Sequence, residues 1–119
     1  MTNELPDRDG SLRTALANAM VVIMKRYYGK GPTGAKAWLL DDYVFIAMEG
    51  GLLPHEETLV AAGDEGLVRE YRLRFQEAAA HQICDAVQDI VGRKILTYHS
   101  QILFGPPRAF EIFVLEPRA

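Results

Sequence analysis

The chain has 119 residues, of which 49% are hydrophobic and 24% charged, and this length and composition are typical of one globular domain. Its net charge of −3, without a basic stripe interleaved with aromatic residues, argues against duplex nucleic acid as a partner. The polar, acidic N-terminus does not resemble a signal peptide, and the longest nearly uncharged run, residues 14–24, is too short to span a membrane. A single cysteine, Cys84, excludes an internal disulfide and fits a reducing cytoplasm.

The first predicted element is a helix over residues 11–28, because apolar residues recur there every three or four positions. Residues 1–10 are expected to form a disordered tail, and residues 11–117 a single α+β domain. The loop Gly29–Gly34 after this helix spells G-x-G-x-x-G. It follows a helix and precedes a strand, which reverses the order that a dinucleotide-binding turn requires. We therefore expect no nucleotide cofactor at this loop, and no other cofactor.

Positive charge is concentrated at the start of the chain. Residues 11–40 contain no acidic residue and five basic ones, Arg13, Lys25, Arg26, Lys30 and Lys36. Such a cluster favours an anionic ligand or an acidic partner surface. The alternative is that these cations only complement the negative end of the helix dipole. Both interpretations stay open at this point.

The rest of the chain predicts two hairpins separated by two helices. The first hairpin pairs residues 36–40 with 43–49 around Asp41-Asp42, which places Trp38 opposite Phe45. A short helix opens at Pro54 and ends at Gly63, and a long helix follows over residues 65–91, with Leu67, Tyr71 and Phe75 directed inward. The closing hairpin pairs residues 94–104 with 108–115. The predicted fold is α+β, with a four-stranded antiparallel sheet and helices packed mainly on one face.

The predicted strands are apolar on both faces, and this pattern indicates an interface. Trp38, Leu40, Tyr43 and Phe45 share one face, and three helical segments can hardly cover both sides. A sheet face that is apolar and uncovered marks a contact surface, so we expect a homodimer through these four residues. The alternative is that the chain's own helices and tails cover this face.

No catalytic or metal-binding constellation emerges from the sequence. His55-Glu56-Glu57 begins like a zinc-protease helix but lacks the second histidine four residues later. His99 lies in an unusually polar strand segment, without a partner carboxylate at fixed spacing. We therefore expect no catalytic residue and no metal. The candidate ligand-binding residues are Gly29, Lys30, Gly31, Lys36, Arg74, Lys94 and His99.

Several motifs together resemble the MpsC-like family, a small bacterial and archaeal domain named after a sodium-translocating system that generates membrane potential. They are Gly29 to Pro32, the hairpin around Asp41-Asp42, Leu53-Pro54 with Glu56 and Leu59, Arg72 with Phe75, Gly92 to Lys94, His99-Ser100 and Phe113 to Pro117. The resemblance covers residues 11–117. It implies a role linked to cation translocation but no catalytic residues. Members have Thr where Leu53 stands, so this chain lacks that side-chain cap for the short helix.

These observations lead to two functional hypotheses. In the first, the protein is a soluble, non-enzymatic, dimeric accessory or regulatory protein of the cytoplasm that contacts an anionic ligand or a protein partner. Because the sequence contains no membrane span, such a protein would not conduct ions by itself. In the second, it is an enzyme or small-molecule binder whose pocket beside Gly29–Gly34 takes a phosphate or carboxylate.

Overall fold

A computed structural model describes the backbone of residues 4–118 and the side chains of residues 10–118. Within these residues the chain forms four helices and four strands. The elements in chain order are α1 (Glu4–Tyr28), β1 (Gly34–Leu40), β2 (Tyr43–Glu49), α2 (Pro54–Ala61), α3 (Glu65–Ala78), α4 (Ala80–Val91), β3 (Ile95–Phe104) and β4 (Pro107–Leu115). The order of helix, hairpin, helices and hairpin matches the sequence prediction.

Two helix boundaries differ from the prediction. Helix α1 begins at Glu4, so residues 4–10 are helical. The first three residues of the expected tail lie outside the described residues. The domain boundary at residue 11 stays a prediction. The long second helix is divided at Ala79 into α3 and α4, although hydrogen bonds continue across the break from the Ala79 N–H to the Phe75 carbonyl. Helix α3 packs on α2 and β3, whereas α4 packs on α1 and β3. The local sequence does not indicate that the two halves contact different elements.

The four strands form one antiparallel sheet in the order β1-β2-β4-β3. The two hairpins therefore meet through β2 and β4, and β3 lies at an edge. Trp38 is opposite Phe45, as the turn at Asp41-Asp42 predicts, and Asp41 adopts the left-handed conformation that such a turn needs, with φ of 51°. The α+β class and the packing of helices against the sheet are confirmed.

The core lies between the helices and one face of the sheet. Its fully buried side chains come from α1, from α4 and from the helix-facing positions of the two inner strands, β2 and β4, and include Leu16, Met20, Val44, Ile46, Ile83, Val87 and Phe113. Helix α3 differs from the prediction, because Leu67 and Phe75 are 53% and 39% exposed while Arg72 and Gln76 are buried. The buried face of α3 is therefore shifted by one residue, or about 100° around the helix axis, from the predicted face. Its buried face carries polar groups that find partners in the interior.

Candidate functional site

The sheet face opposite the helices, which we call the outer face, carries a row of aromatic side chains. Trp38 on β1, Phe45 on β2 and Phe110 on β4 are neighbours across three strands, with ring centroids 5.5 Å apart in each pair. The Phe45 and Phe110 rings are stacked. The strand register pairs Trp38 with Phe45 directly, whereas Phe110 is a diagonal neighbour of Phe45, two residues from its partner Ile112 and on the same side of the sheet.

Aliphatic and phenolic side chains extend this row towards the turn at Asp41-Asp42. Leu40 is 61% exposed and Tyr43 53%, while Trp38 and Ile112 are each 37% exposed. The four predicted interface residues, Trp38, Leu40, Tyr43 and Phe45, share one face of the sheet. Large apolar groups exposed side by side are unusual on a monomer, so the outer face is a candidate contact surface.

A hollow of about 430 Å³ lies at the other end of the outer face, where β1 begins. The aromatic row forms part of its lining, together with Lys36, Arg108 and Glu49. The two basic side chains outnumber the one carboxylate, so the hollow carries a net positive charge. Lys36 is the only one of the seven candidate ligand residues that lines it.

The Gly29–Gly34 loop packs against a second glycine segment, Gly50-Gly51, and only its last residue, Gly34, lines the hollow of the outer face. A Cβ on Gly51 would lie 3.3 Å from the Pro32 Cα, and one on Gly50 would lie 2.9 Å from the Thr33 Oγ1. The Lys30 ammonium donates to the Leu52 carbonyl at 3.2 Å. The cavity beside this loop has a volume of about 20 Å³, which holds a water molecule and no metabolite.

The second glycine segment is held by a buried ion pair. Glu56, at the third position of α2, accepts hydrogen bonds from the Arg72 guanidinium at 2.5 and 2.7 Å, from the Tyr71 hydroxyl at 2.5 Å and from the Leu53 N–H at 2.8 Å. Burial would raise the pKa of Glu56, but these hydrogen bonds bring the pKa below its usual value. Arg72 also donates to the Gly51 carbonyl at 3.1 Å.

The same cluster reaches α1 and perturbs two tyrosines. The Arg72 guanidinium lies 4.0 Å from the centre of the Tyr28 ring, a cation–π contact. Burial raises the pKa of Tyr71 to about 12, with a further contribution from the Glu56 carboxylate that its hydroxyl contacts. Burial also raises the pKa of Tyr28. These contacts tie α1, α2, α3 and the glycine segments together, and the resulting cluster is structural in character.

A second buried carboxyl group, that of Glu111, has a different environment. Glu111 is fully buried on the helix-facing side of β4, where the Tyr98 and Ser100 hydroxyls contact its two oxygens, Ser100 at 2.8 Å. Among the described residues no basic side chain pairs with it. The pKa of Glu111 is raised to about 7, because the effect of burial is larger than the opposite effect of the two hydroxyl contacts.

Proton counting in this cluster agrees with a protonated Glu111. The Ser100 oxygen lies within hydrogen-bonding distance of both the Glu111 Oε2 and the Gln76 Oε1. A hydroxyl group has one proton to donate. When the Glu111 carboxyl carries a proton and donates it to Ser100, the Ser100 hydroxyl is free to donate to Gln76. In that arrangement each of these oxygens has a compatible partner.

A groove of about 400 Å³ lies between α3 and the edge strand β3. Its lining consists of Glu70, Leu73, Arg74, Gln76, Glu77, Ala80, Tyr98, His99 and Ser100. Two of the candidate ligand residues, Arg74 and His99, therefore meet here. Arg74 faces Glu70 at 3.8 Å, and both side chains are largely exposed. The side chain of Lys94 lines none of these hollows, since Lys94 precedes β3 at the opposite end of the sheet from Gly34.

The seven candidate ligand residues thus fall into separate places rather than one site. Gly29, Lys30 and Gly31 belong to the packed loop, Lys36 to the outer face, and Arg74 and His99 to the groove. Sequence reasoning missed Glu111 and Arg72. A signal for Glu111 exists, because it alternates in register with Phe113 and Leu115 on β4, so a charged residue occupies a core position.

Comparison with known proteins gives one family. The sequence model of the family described as "Na+-translocating membrane potential-generating system (MpsC)" matches residues 8–117. No curated protein and no solved structure matches the chain. Within residues 4–118, no helix has both the length and the apolar character that crossing a bilayer demands.

Proposed function

The chain belongs to the MpsC family, and from this premise we propose that it is a soluble, non-enzymatic accessory or regulatory protein of the cytoplasm that acts as a homodimer. The observation that carries the proposal is the apolar outer face with its exposed Trp38, Leu40 and Tyr43. The family description supports a link to cation translocation. The single cysteine, which is free and half-buried, supports a reducing compartment.

A second copy is the proposed occupant of the outer face, because two such faces can bury their apolar side chains against each other. Two sheets that pack face to face lie about 10 Å apart, and their side chains interdigitate. An isologous dimer places the same patch on both sides of a two-fold axis. Each copy then removes the side chains of Leu40 and Tyr43 from water.

The test is the solution mass, measured by light scattering over a range of protein concentrations. We expect twice the chain mass of 13.3 kDa for the wild type and the single mass for the double variant Leu40→Glu/Tyr43→Glu. Val22→Glu is the matched control, because Val22 is 56% exposed on α1, away from the outer face. A wild-type protein that stays monomeric at high concentration contradicts the dimer, and a Val22→Glu variant that dissociates equally contradicts the outer face as its interface.

We propose further that the basic hollow at Lys36 and Arg108 contacts an anionic group of the ligand or partner. Of the five cations between residues 11 and 40, Lys36 lines this hollow, and Arg108 adds a second positive charge there, whereas the Lys30 ammonium is engaged with the Leu52 carbonyl. The alternative function, binding of a small phosphate- or carboxylate-bearing molecule or its conversion, is also best served by this hollow, whose volume of about 430 Å³ fits a metabolite.

A thermal-shift panel of phosphate, pyrophosphate, citrate and nucleotides separates the two functions. A ligand at one hundred times its dissociation constant adds about 2.7 kcal/mol to the free energy of unfolding, or several degrees for a domain of this size. A shift that Lys36→Glu abolishes and Lys94→Glu leaves intact supports the small-molecule function. A flat panel with a stable dimer supports the accessory protein.

A further inference from the structure

The groove between α3 and β3 follows the free edge of the sheet. Successive side chains of a strand point to opposite faces, so Tyr98 and Ser100 lie on the helix-facing side and His99 on the outer side. All three line the groove. A groove that contacts side chains from both faces of one strand has to pass along that strand's edge. The backbone of β3 is therefore part of the groove wall.

Part of this edge has backbone groups that point away from the sheet. Within the described residues β4 is the only strand that pairs with β3. The Arg69 side chain of α3 donates to the Ile102 carbonyl at 3.3 Å, which identifies a carbonyl directed away from β4. Every second residue of an antiparallel strand has the same orientation, so the N–H and C=O groups of Ser100 and Tyr98 also point into the groove.

Between Tyr98 and Phe104 the edge strand β3 has neither charged residues nor proline to protect it, and its one register irregularity lies outside this section, between Ile95 and Thr97. From Ile95 to Phe104 it contains no Lys, Arg, Asp, Glu or Pro, and it is the longest strand of the sheet. The other edge strand, β1, carries Lys36 and packs against α1. The groove lies along residues 98–100 of β3, and the Ile102 carbonyl that Arg69 covers comes two residues later.

The opposite wall of the groove supplies charge. Glu70, Arg74 and Glu77 form a stripe on α3 at three- and four-residue spacing, and Leu73 and Ala80 add apolar surface. The stripe carries two negative charges and one positive charge. Its net charge of −1 favours a ligand with a basic side chain.

We propose that this groove binds an extended peptide segment of a partner protein, which adds a fifth strand to the sheet at β3. The peptide backbone pairs with the N–H and C=O groups of Tyr98 and Ser100, and a Lys or Arg of the peptide faces Glu70 or Glu77. An edge strand beside a helix is the arrangement that strand-adding peptide-recognition domains use, in which main-chain hydrogen bonds give affinity and side-chain contacts give specificity. Of the groove lining only His99 faces the outer side of the sheet, so the site is centred on the edge of β3 and not on the aromatic row of the outer face.

The probe is a displayed library of random heptapeptides panned on the full chain, from which the enriched sequences are synthesised and their dissociation constants measured. We expect enriched peptides with β-branched or aromatic residues and at least one Lys or Arg. Their affinity should fall about tenfold in Glu70→Lys/Glu77→Lys. The matched control is Asp85→Lys/Asp89→Lys, which changes the net charge by the same amount on the exposed side of α4 and should leave binding unchanged.

The binding mode is tested by amide hydrogen exchange and by a modified peptide. Exchange at Tyr98 and Ser100 should slow when peptide binds, and methylation of alternate peptide nitrogens should abolish binding. The proposal is overturned if no peptide is enriched, if enriched peptides bind equally to both double variants, or if exchange at β3 does not change. A wild-type dimer in which β3 amides are protected without peptide also overturns it, because a second copy then occupies the edge.

Discussion

Replacing Glu111 by Gln tests the interpretation of the buried carboxyl cluster most directly. Glu111 is fully buried and is contacted by hydroxyl groups without a basic partner. A glutamine keeps the shape of the protonated carboxyl group. Its amide nitrogen can donate to Ser100 and its oxygen can accept from Tyr98, so the variant imitates the protonated wild type at every pH.

The expected size follows from the pKa of Glu111, which burial raises from 4.5 to about 7. An acid whose pKa is higher in the folded state binds more protons when folded, so the free energy of unfolding decreases as the pH rises between these two values. The difference of two to three pKa units corresponds to about 3 kcal/mol. Above about pH 7.5 both states are ionised and this contribution stays constant.

The assay is urea unfolding of wild type and Glu111→Gln at one protein concentration and at several pH values from 4.5 to 8. We expect the two free energies to differ by less than about 1 kcal/mol at pH 4.5 and the variant to be more stable by about 3 kcal/mol at pH 8. Subtracting the two free energies of unfolding cancels the pH dependence of groups present in both proteins, such as Glu56, whose pKa is lowered. Glu49→Gln, an exposed position on β2, is the control. A difference that does not change with pH refutes a neutral buried Glu111.

Two further predictions concern the cluster around Glu56 and the glycine segments. Arg72→Met should lower the free energy of unfolding, measured by urea titration, by about 3–5 kcal/mol, because it leaves the Glu56 carboxylate buried without its charge partner. Arg74→Met removes an exposed ion pair and should change this free energy by less than about 1 kcal/mol. Gly51→Ala should lower the melting temperature through a left-handed φ of 88° and a close backbone contact, at a cost of about 2 kcal/mol. Gly66→Ala, in α3 with open space around it, should instead raise the melting temperature, and the opposite order of these two glycine variants would contradict the packing argument.

Much of the fold follows from local patterns. The turn at Asp41-Asp42 sets the register of the first hairpin, so the position of Trp38 opposite Phe45 was predictable. Apolar periodicity identified α1 and the sheet faces, because helix and strand spacings differ. The buried face of α3 was not predictable in this way. Arg72 and Gln76 read as solvent-exposed residues until their partners on other elements are known.

The sequence by itself determined the α+β class, the pairing within each hairpin and the apolar character of both sheet faces, since these depend on residues close together in the chain. Only the tertiary structure decided that Gly29–Gly34 packs against Gly50 and Gly51, that Glu111 is enclosed by hydroxyl groups, and that α3 and β3 border a groove. Each of these contacts joins elements far apart in sequence. The free energy of such a contact depends on burial and on the partner group, and the spacing of residues along the chain specifies neither of these.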